Sequence, residues 1–558
     1  MRILIFVVPL GASLVAAAPS MLPVVDLGYA LHQGTINITG GYYNFSNIRY
    51  GEGPMGELRW AKPLPPQSIN RTVNTGQESR TCIQTHPVWL STAYQYVIDT
   101  PLDKITPSIF DLNSVSAHDT SQSEDCLFLD VMVPSEIYDS ADQVSASCAS
   151  KGAPVLVWID GGGFSGGYKH EVNPAGLIAR SKLYGDGFVF VAMNYRLGLY
   201  GFLGGPTLRE HGDANAGLLD QRLALEWIQE NIHIFGGDPK RVTVMGESAG
   251  GGSVLHQITA YGGLKGPLPF QQVILQSPGF QPNPGSYQQE RIFQDVLTNA
   301  SVLSNTSITS LDDLRELDAK TLALVNDAIV GRSRYGLYTF GPTVDGEFVP
   351  ALPGAVLARE GFNVSLGMMI GRNDQEGVLF TDPYISNESD FVANVESFFP
   401  SARPDVIDYI VNDLYPDDLR ASNGYTTEVL RAAAASAESC FTCHTRYLNK
   451  KFGNNSYAYS YDVPPAIHAQ DVAYTFYNGD TLTWDFRPVV AEVAYALQDY
   501  VVNFVMRGSP NHARSPWFPM YGGNSSLLSI NTTTLGEVRV DPLSAGEKCA
   551  WWQKALYF

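Results

Sequence analysis

Six stretches of the chain are apolar almost without a break: "VLVWI" at 155–159, "FVFVAMNY" at 188–195, "VTVMG" at 242–246, "QVILQS" at 272–277, "LGMMIG" at 366–371 and "YAYSYD" at 457–462. A strand with one wet face alternates apolar with polar residues. These runs do not alternate, so each predicts a strand covered on both faces. Between the second and third, "GLLDQRLALEWIQENI" sets Leu219, Leu223 and Trp227 at four-residue steps, which predicts an amphipathic helix. Strands alternating with helices predict an α/β architecture: a large, mostly parallel, doubly wound sheet with helices on both faces. No internal repeat or low-complexity linker interrupts the series, so residues 19–558 read as one domain. Long loops at 78–125 and 380–425 are where a cover over a site would sit.

Composition narrows the function. With 44% hydrophobic and 16% charged residues over 558 positions, the chain can bury a large core and is not disordered. A formal net charge of −20 argues against a nucleic-acid partner, because phosphate repels an acidic surface. The start, "MRILIFVVPLGASLVAAAPS", has one arginine, a short apolar run and small residues around Ala17 and Ala18. That is the pattern of a secretory signal peptide over residues 1–18, and the run is too short for a stable membrane span. Export agrees with ten Asn-x-Ser/Thr sequons, at Asn37, Asn44, Asn70, Asn299, Asn305, Asn363, Asn387, Asn454, Asn524 and Asn531. Six cysteines allow up to three disulfides in an oxidising compartment, and the lone Cys440-x-x-Cys443 lacks the second pair a zinc site needs.

The chemistry gathers at "VTVMGESAGG", where a strand-like run meets a serine crowded by small residues. Gly246-Glu247-Ser248-Ala249-Gly250 fits G-x-S-x-G. In such an elbow the serine occupies a sharp strand-to-helix turn that leaves no room for side chains two positions away. A serine alone is a weak nucleophile, so it requires a base and an oxyanion site. "WIDGGGF", Trp158–Phe164, leaves a predicted strand and offers the backbone N–H groups of Gly162 and Gly163, to be joined by that of Ala249. The Lys-Ser/Thr of a phosphate-binding loop is missing there.

These motifs identify the chain as similar to the type-B carboxylesterase/lipase family of the α/β-hydrolase fold, which includes fungal lipases, sterol esterases, cholinesterases and the non-catalytic neuroligins. "FGGDPKRVTVMGESAG" (235–250) resembles the family's serine signature and "EDCLFLDV" (124–131) its second signature. "NYRLGLYGFL", "DANAGLLDQR", "VILQSPG" and "GPTVDGEFVP" follow the family order. The resemblance implies a serine hydrolase that cleaves carboxylic esters through an acyl-enzyme, with small-molecule or lipid esters as substrate and no cofactor or metal. It points to Glu376, in "IGRNDQEGVLF", as the triad acid and to His468, in "YSYDVPPAIHAQDV", as the base. Asp374 is the neighbouring rival to Glu376. Each segment follows a predicted strand, so both side chains can gather at the carboxyl edge where Ser248 emerges. By the same resemblance, Ser277 is a hydroxyl supporting the acid, Glu247 a pocket carboxylate, and Arg59 with Glu124 a structural ion pair. Cys82–Cys126 is the family's first disulfide, closing a lid loop, and Cys440–Cys549 matches a cholinesterase disulfide.

Several readings stay open on sequence. Asp160 stands where relatives carry an aromatic residue or histidine, and its carboxylate either turns behind the glycine loop or faces the developing charge. "HPVWLSTAYQYVI" (86–98) is either a mobile flap suited to a lipid–water interface or an excursion whose apolar residues pack down. Sterol-esterase specificity is one alternative. A cholinesterase is another and needs an aromatic cation site, for which Trp89 and Trp484 are candidates. An adhesion module like the neuroligins requires a lost nucleophile and a transmembrane stretch, and the sequence has neither feature.

Overall fold

The computed structural model describes residues 22–111, 120–145, 152–281, 285–362 and 364–557. The expected signal peptide, Cys148 and the sequon at Asn363 lie outside the described residues. Strands β1 (Val24–Asp26) and β2 (Ala30–Gln33) come first, then β3 (Thr35–Asn37), β4 (Tyr42–Arg49) and β5 (Asn70–Asn74). Of these, β1, β2 and β5 form a small separate sheet. The main strands follow as β6 (Phe128–Pro134), β7 (Ala153–Ile159), β8 (Val189–Met193), β9 (Gly237–Glu247), β10 (Gln272–Gln276), β11 (Gly367–Asn373), β12 (Ser456–Tyr461), β13 (Ser526–Ile530) and β14 (Glu537–Val540). They complete an eleven-stranded sheet ordered β14-β13-β12-β11-β10-β9-β7-β8-β6-β4-β3. The run from β13 to β8 is parallel, and the strands at both ends pair antiparallel. This is the α/β-hydrolase architecture.

The continuous apolar runs have the expected cause. In β7, Val155, Val157 and Ile159 enter one core while Leu156 and Trp158 enter the core on the opposite face. Both faces are covered by helices, so neither set of alternating positions can be polar. All six predicted runs became parallel strands, and the predicted helix is observed as Ala216–Asn231. The outer strands β4, β13 and β14 were not predicted from periodicity, because their residues are mixed in polarity.

Register decides where the chemistry can sit. Glu247, at the end of β9, pairs with Gln276, which pairs with Gly371 of β11. Asn373 pairs in turn with Tyr461, at the end of β12. The carboxyl ends of four adjacent strands are therefore flush, and the segments that follow them meet over one edge.

Covalent and ionic ties hold the outer loops. Cys82 and Cys126 are bonded as expected. The expected Cys440–Cys549 pair does not form: Cys443 is bonded to Cys549, and Cys440 is free and buried. A wide π-type turn, Glu438–Thr442, contains Cys440 and ends just before Cys443. It leaves Cys440 facing an apolar cavity while the helix Cys443–Phe452 presents Cys443 to the C-terminal helix Glu547–Gln553. Arg59 and Glu124 form a two-pronged buried ion pair, at 2.7 and 2.6 Å. Removing one partner of such a pair costs about 3–5 kcal/mol by leaving a bare buried charge. The segment 86–98 contains a helix, Trp89–Val97, that packs down through Trp89, Leu90, Ala93 and Val97 and exposes Tyr94.

Candidate active site

Ser248 follows β9 directly and precedes the helix Ala249–Thr259. Its backbone has φ 54° and ψ −123°, a conformation that side chains other than glycine rarely adopt. The surroundings impose it. A Cβ on Gly250 would lie 2.1 Å from the carbonyl oxygen of Ile159, and one on Gly246 would lie 2.5 Å from the carbonyl carbon of Gly250. No atom fits there, so both positions demand glycine, and the tight crossing pushes Ser248 out above the sheet edge.

The residues expected to work with Ser248 are brought together from separate loops. Oγ of Ser248 lies 2.8 Å from Nε2 of His468, and Nδ1 of His468 lies 2.5 Å from Oε2 of Glu376. A carboxylate can only accept, so Nδ1 carries the proton and Nε2 is left to accept from the serine hydroxyl. Glu376 is fully buried, and its other oxygen accepts from Ser277 Oγ at 2.5 Å and from the backbone N–H of Asn373 at 2.6 Å. Asp374, its rival, is exposed and bonds the side chain of Gln375. The imidazole is packed edge-on against Phe380 and tilted against Phe441, which keep water from its flanks.

Glu247 reaches round to place Oε1 3.3 Å from Nε2 of His468, the nitrogen that also faces Ser248. Burial pushes its carboxyl up to about 8, opposed by the charge of His468. Burial also disfavours the charged form of His468, but Glu247 and Glu376 outweigh it and the net shift is upward. Each of Glu247 and His468 therefore bears on the other's protonation.

The glycine loop after β7 supplies the candidate anion cradle. Gly163 has φ +64°, and a Cβ there would lie 2.3 Å from the ring of Tyr338. Gly163, Ala249 and Ser248 line one narrow cavity, and Gly162, Gly163 and Ser248 a wider one. Ala249 opens its helix, so its N–H has no partner within the helix, and the positive helix end faces the same place. Asp160 lines neither cavity. Its side chain turns toward Gly167, where a Cβ would meet Oδ2 at 2.3 Å. Burial holds this carboxyl well above the usual range, with Glu171 adding to the effect, which favours its uncharged form. Its Oδ1 has no hydrogen-bond partner among the described residues.

Three supporting residues had escaped the sequence reading. Asn373 donates through its side chain to Ser277 and to Asp471, each at 3.2 Å. Asp471, fully buried, also accepts from Tyr459 and Gln276. Both lie within three residues of a predicted site residue, which was the available signal. Tyr338, over the oxyanion loop, comes from a distant segment and gave none. Trp484 donates from Nε1 to the carbonyl oxygen of His468 and lines the wide cavity, whereas Trp89 is buried outside it. The acidic group Glu388, Asp417 and Glu428 could hold a cation by spacing, but Arg431 already bonds Glu388 and Glu428.

The carboxylesterase family profile matches residues 23–552. The chain belongs to the carboxylesterase family. This esterase is 38% identical to carboxylesterase patB of Aspergillus clavatus, over 97% of this chain and 98% of that protein. It is 30% identical to secreted lipase 1 of Botryotinia fuckeliana, over 87% of this chain and 85% of the relative. Among solved structures, Aspergillus niger EstA superposes with a TM-score of 0.75 at 26% identity, covering 96% of this chain and 98% of that one. The esterase is thus an ester-hydrolysing serine hydrolase of the α/β-hydrolase fold.

Proposed function

We propose that Ser248, His468 and Glu376 hydrolyse esters through an acyl-enzyme. The observation that carries this reading is the continuous relay from Oγ through the imidazole to a buried carboxylate, at 2.8 and 2.5 Å. Ser248 Oγ attacks the ester carbonyl carbon as Nε2 of His468 takes its proton. The carbonyl oxygen becomes an anion held by the N–H groups of Gly162, Gly163 and Ala249. Collapse expels the alcohol, which takes the proton from His468, and leaves the acyl group on Ser248. A water then attacks, its proton passes to His468 and on to Ser248, and the free acid departs. Glu376 holds the imidazole in the reactive tautomer and stabilises its charged form; Ser277 and Asn373 hold Glu376.

The two halves of the substrate are assigned by His468, which must touch the leaving alcohol. His468 lines the wide cavity, of about 650 Å³, and not the narrow one. The alcohol therefore occupies the wide cavity and the acyl group the narrow one. Glu171, Glu247 and Asp480 line the wide cavity, and no lysine or arginine does so among the described residues, which disfavours alcohols bearing an anion. The packed helix Trp89–Val97 favours soluble esters over an interface.

Ser248→Ala is expected to abolish hydrolysis of p-nitrophenyl butyrate and labelling by a fluorophosphonate. Retained turnover would refute the assignment. We further propose secretion with N-glycosylation, supported by the leader pattern, two disulfides and the exposed sequon asparagines Asn70, Asn305, Asn387, Asn454 and Asn524. Endoglycosidase treatment of exported protein should lower its apparent mass.

A further inference from the structure

The acyl cavity has a free volume of about 30 Å³. The wide cavity has about 650 Å³ by the same measure, so this one suits only a short acyl chain. Directly behind it lies a separate groove of about 450 Å³. The wall between them is one residue thick. Gly336, Tyr338 and Phe340 line the cavity, while Leu337 and Thr339, between them, line the groove. Gln281 clamps this segment: Nε2 donates to the carbonyl oxygen of Gly336 at 2.7 Å, and Oε1 accepts from the N–H of Tyr338 at 3.3 Å.

Among the described residues, only Gln281 and Phe398 line both spaces. Gln281 is fixed by its two backbone bonds. Phe398 ends the helix Glu388–Phe398, and its ring tip would lie 2.9 Å from a Cβ on Gly336, so the ring fills the gap left by that glycine. The groove beyond is lined by Arg291, Arg332 and Arg334, with Asp295 as the acid, in a chain of net charge −20. Its walls are mixed, with Ile292, Ile329 and Leu337 beside these charged residues.

We propose that Phe398 is a specificity-determining residue: its ring is the stop that limits the acyl half of the substrate to short chains. This rests on the acyl-enzyme reading above and on the acyl group lying on the side away from His468. Longer chains meet the ring with nowhere to go, although ample room lies behind it. Without the ring, cavity and groove join.

The test is kcat/KM for p-nitrophenyl esters of acetate, butyrate, octanoate and dodecanoate with the wild type, Phe398→Ala and Phe398→Leu. One surplus methylene in a closed pocket costs about tenfold or more, so the wild type should lose at least about tenfold from butyrate to octanoate. In Phe398→Ala the octanoate-to-butyrate ratio should rise by at least about tenfold, with Phe398→Leu between. A merely structural role would lower all chain lengths alike and leave the ratio unmoved, and that result in a variant melting as a folded protein would overturn the proposal. So would a wild type that takes dodecanoate as readily as butyrate, which leaves the acyl-enzyme reading intact. Failure of the wild type on every ester, with Ser248 unlabelled by fluorophosphonate, would remove both. Should Phe398→Ala not fold, Phe398→Leu and the wild-type profile still decide.

Discussion

Glu376→Gln keeps the shape of the site and reverses the polarity of one contact. In the wild type Oε1 accepts from Ser277 and from the backbone of Asn373, and Oε2 accepts from His468. The main-chain N–H of Asn373 cannot turn away, so the new amide must keep its oxygen on that side. Its NH₂ then faces Nδ1 of His468, which has to accept, and the ring proton moves to Nε2. That nitrogen now points a hydrogen at Ser248 and cannot take the serine proton. The wrong tautomer, with the loss of a buried carboxylate that stabilised the imidazolium, should lower kcat by about 10⁴-fold, or about 5.4 kcal/mol at 1.36 kcal/mol per tenfold. KM should change little, because the residue is buried beneath the imidazole and lines neither cavity. The assay is steady-state hydrolysis of p-nitrophenyl butyrate by folded protein, with Asp374→Asn as the control. That exposed neighbour should retain wild-type turnover. Glu376→Gln within tenfold of the wild type, or Asp374→Asn as the damaged variant, would refute the reasoning.

The acid limb of kcat/KM reports protonation of His468, whose upward shift loses activity at a pH above the ordinary imidazole value. Glu247→Gln removes a carboxylate that favours the charged ring, so the limb should move to lower pH; an unmoved limb would show the pair to be uncoupled. Cys549→Ser opens a disulfide spanning 106 residues and should cost about 2–4 kcal/mol, read as a lower melting temperature. Cys440→Ser should leave the Cys443–Cys549 peptide linked in mass spectrometry, and loss of that linkage would restore the pairing first expected. Gly163→Ala drives a Cβ toward the ring of Tyr338 from a positive φ and should reduce kcat by about 10²-fold or more through the displaced oxyanion donor. Near-normal kcat would remove Gly163 from that role.

Local patterns in the sequence determined the central sheet and the elbow that carries Ser248. Apolar runs in β7 to β12 are long and unbroken because both faces are covered, and such runs announce themselves without knowledge of the partner strands. The elbow glycines are legible for a similar reason: each must lack a side chain, whatever surrounds it. Resemblance to the family then placed Glu376 and His468 in sequence. Tertiary structure decided what depends on direction. Cys440 and Cys443 differ by three positions, and only the wide turn that holds Cys440 settled which one meets Cys549. Asp160 could have faced the glycine loop's candidate anion site, and only the fold turned it toward Gly167. Nothing in the spacing of 86–98 showed that the helix Trp89–Val97 buries Trp89, Leu90, Ala93 and Val97 while exposing Tyr94. Tyr338 and Phe398 carry no motif, and their place at the site comes from segments far from Ser248 folding back upon it. Composition and spacing record what a residue is and who precedes it; which way a side chain points is set by the packing of elements that the sequence keeps apart.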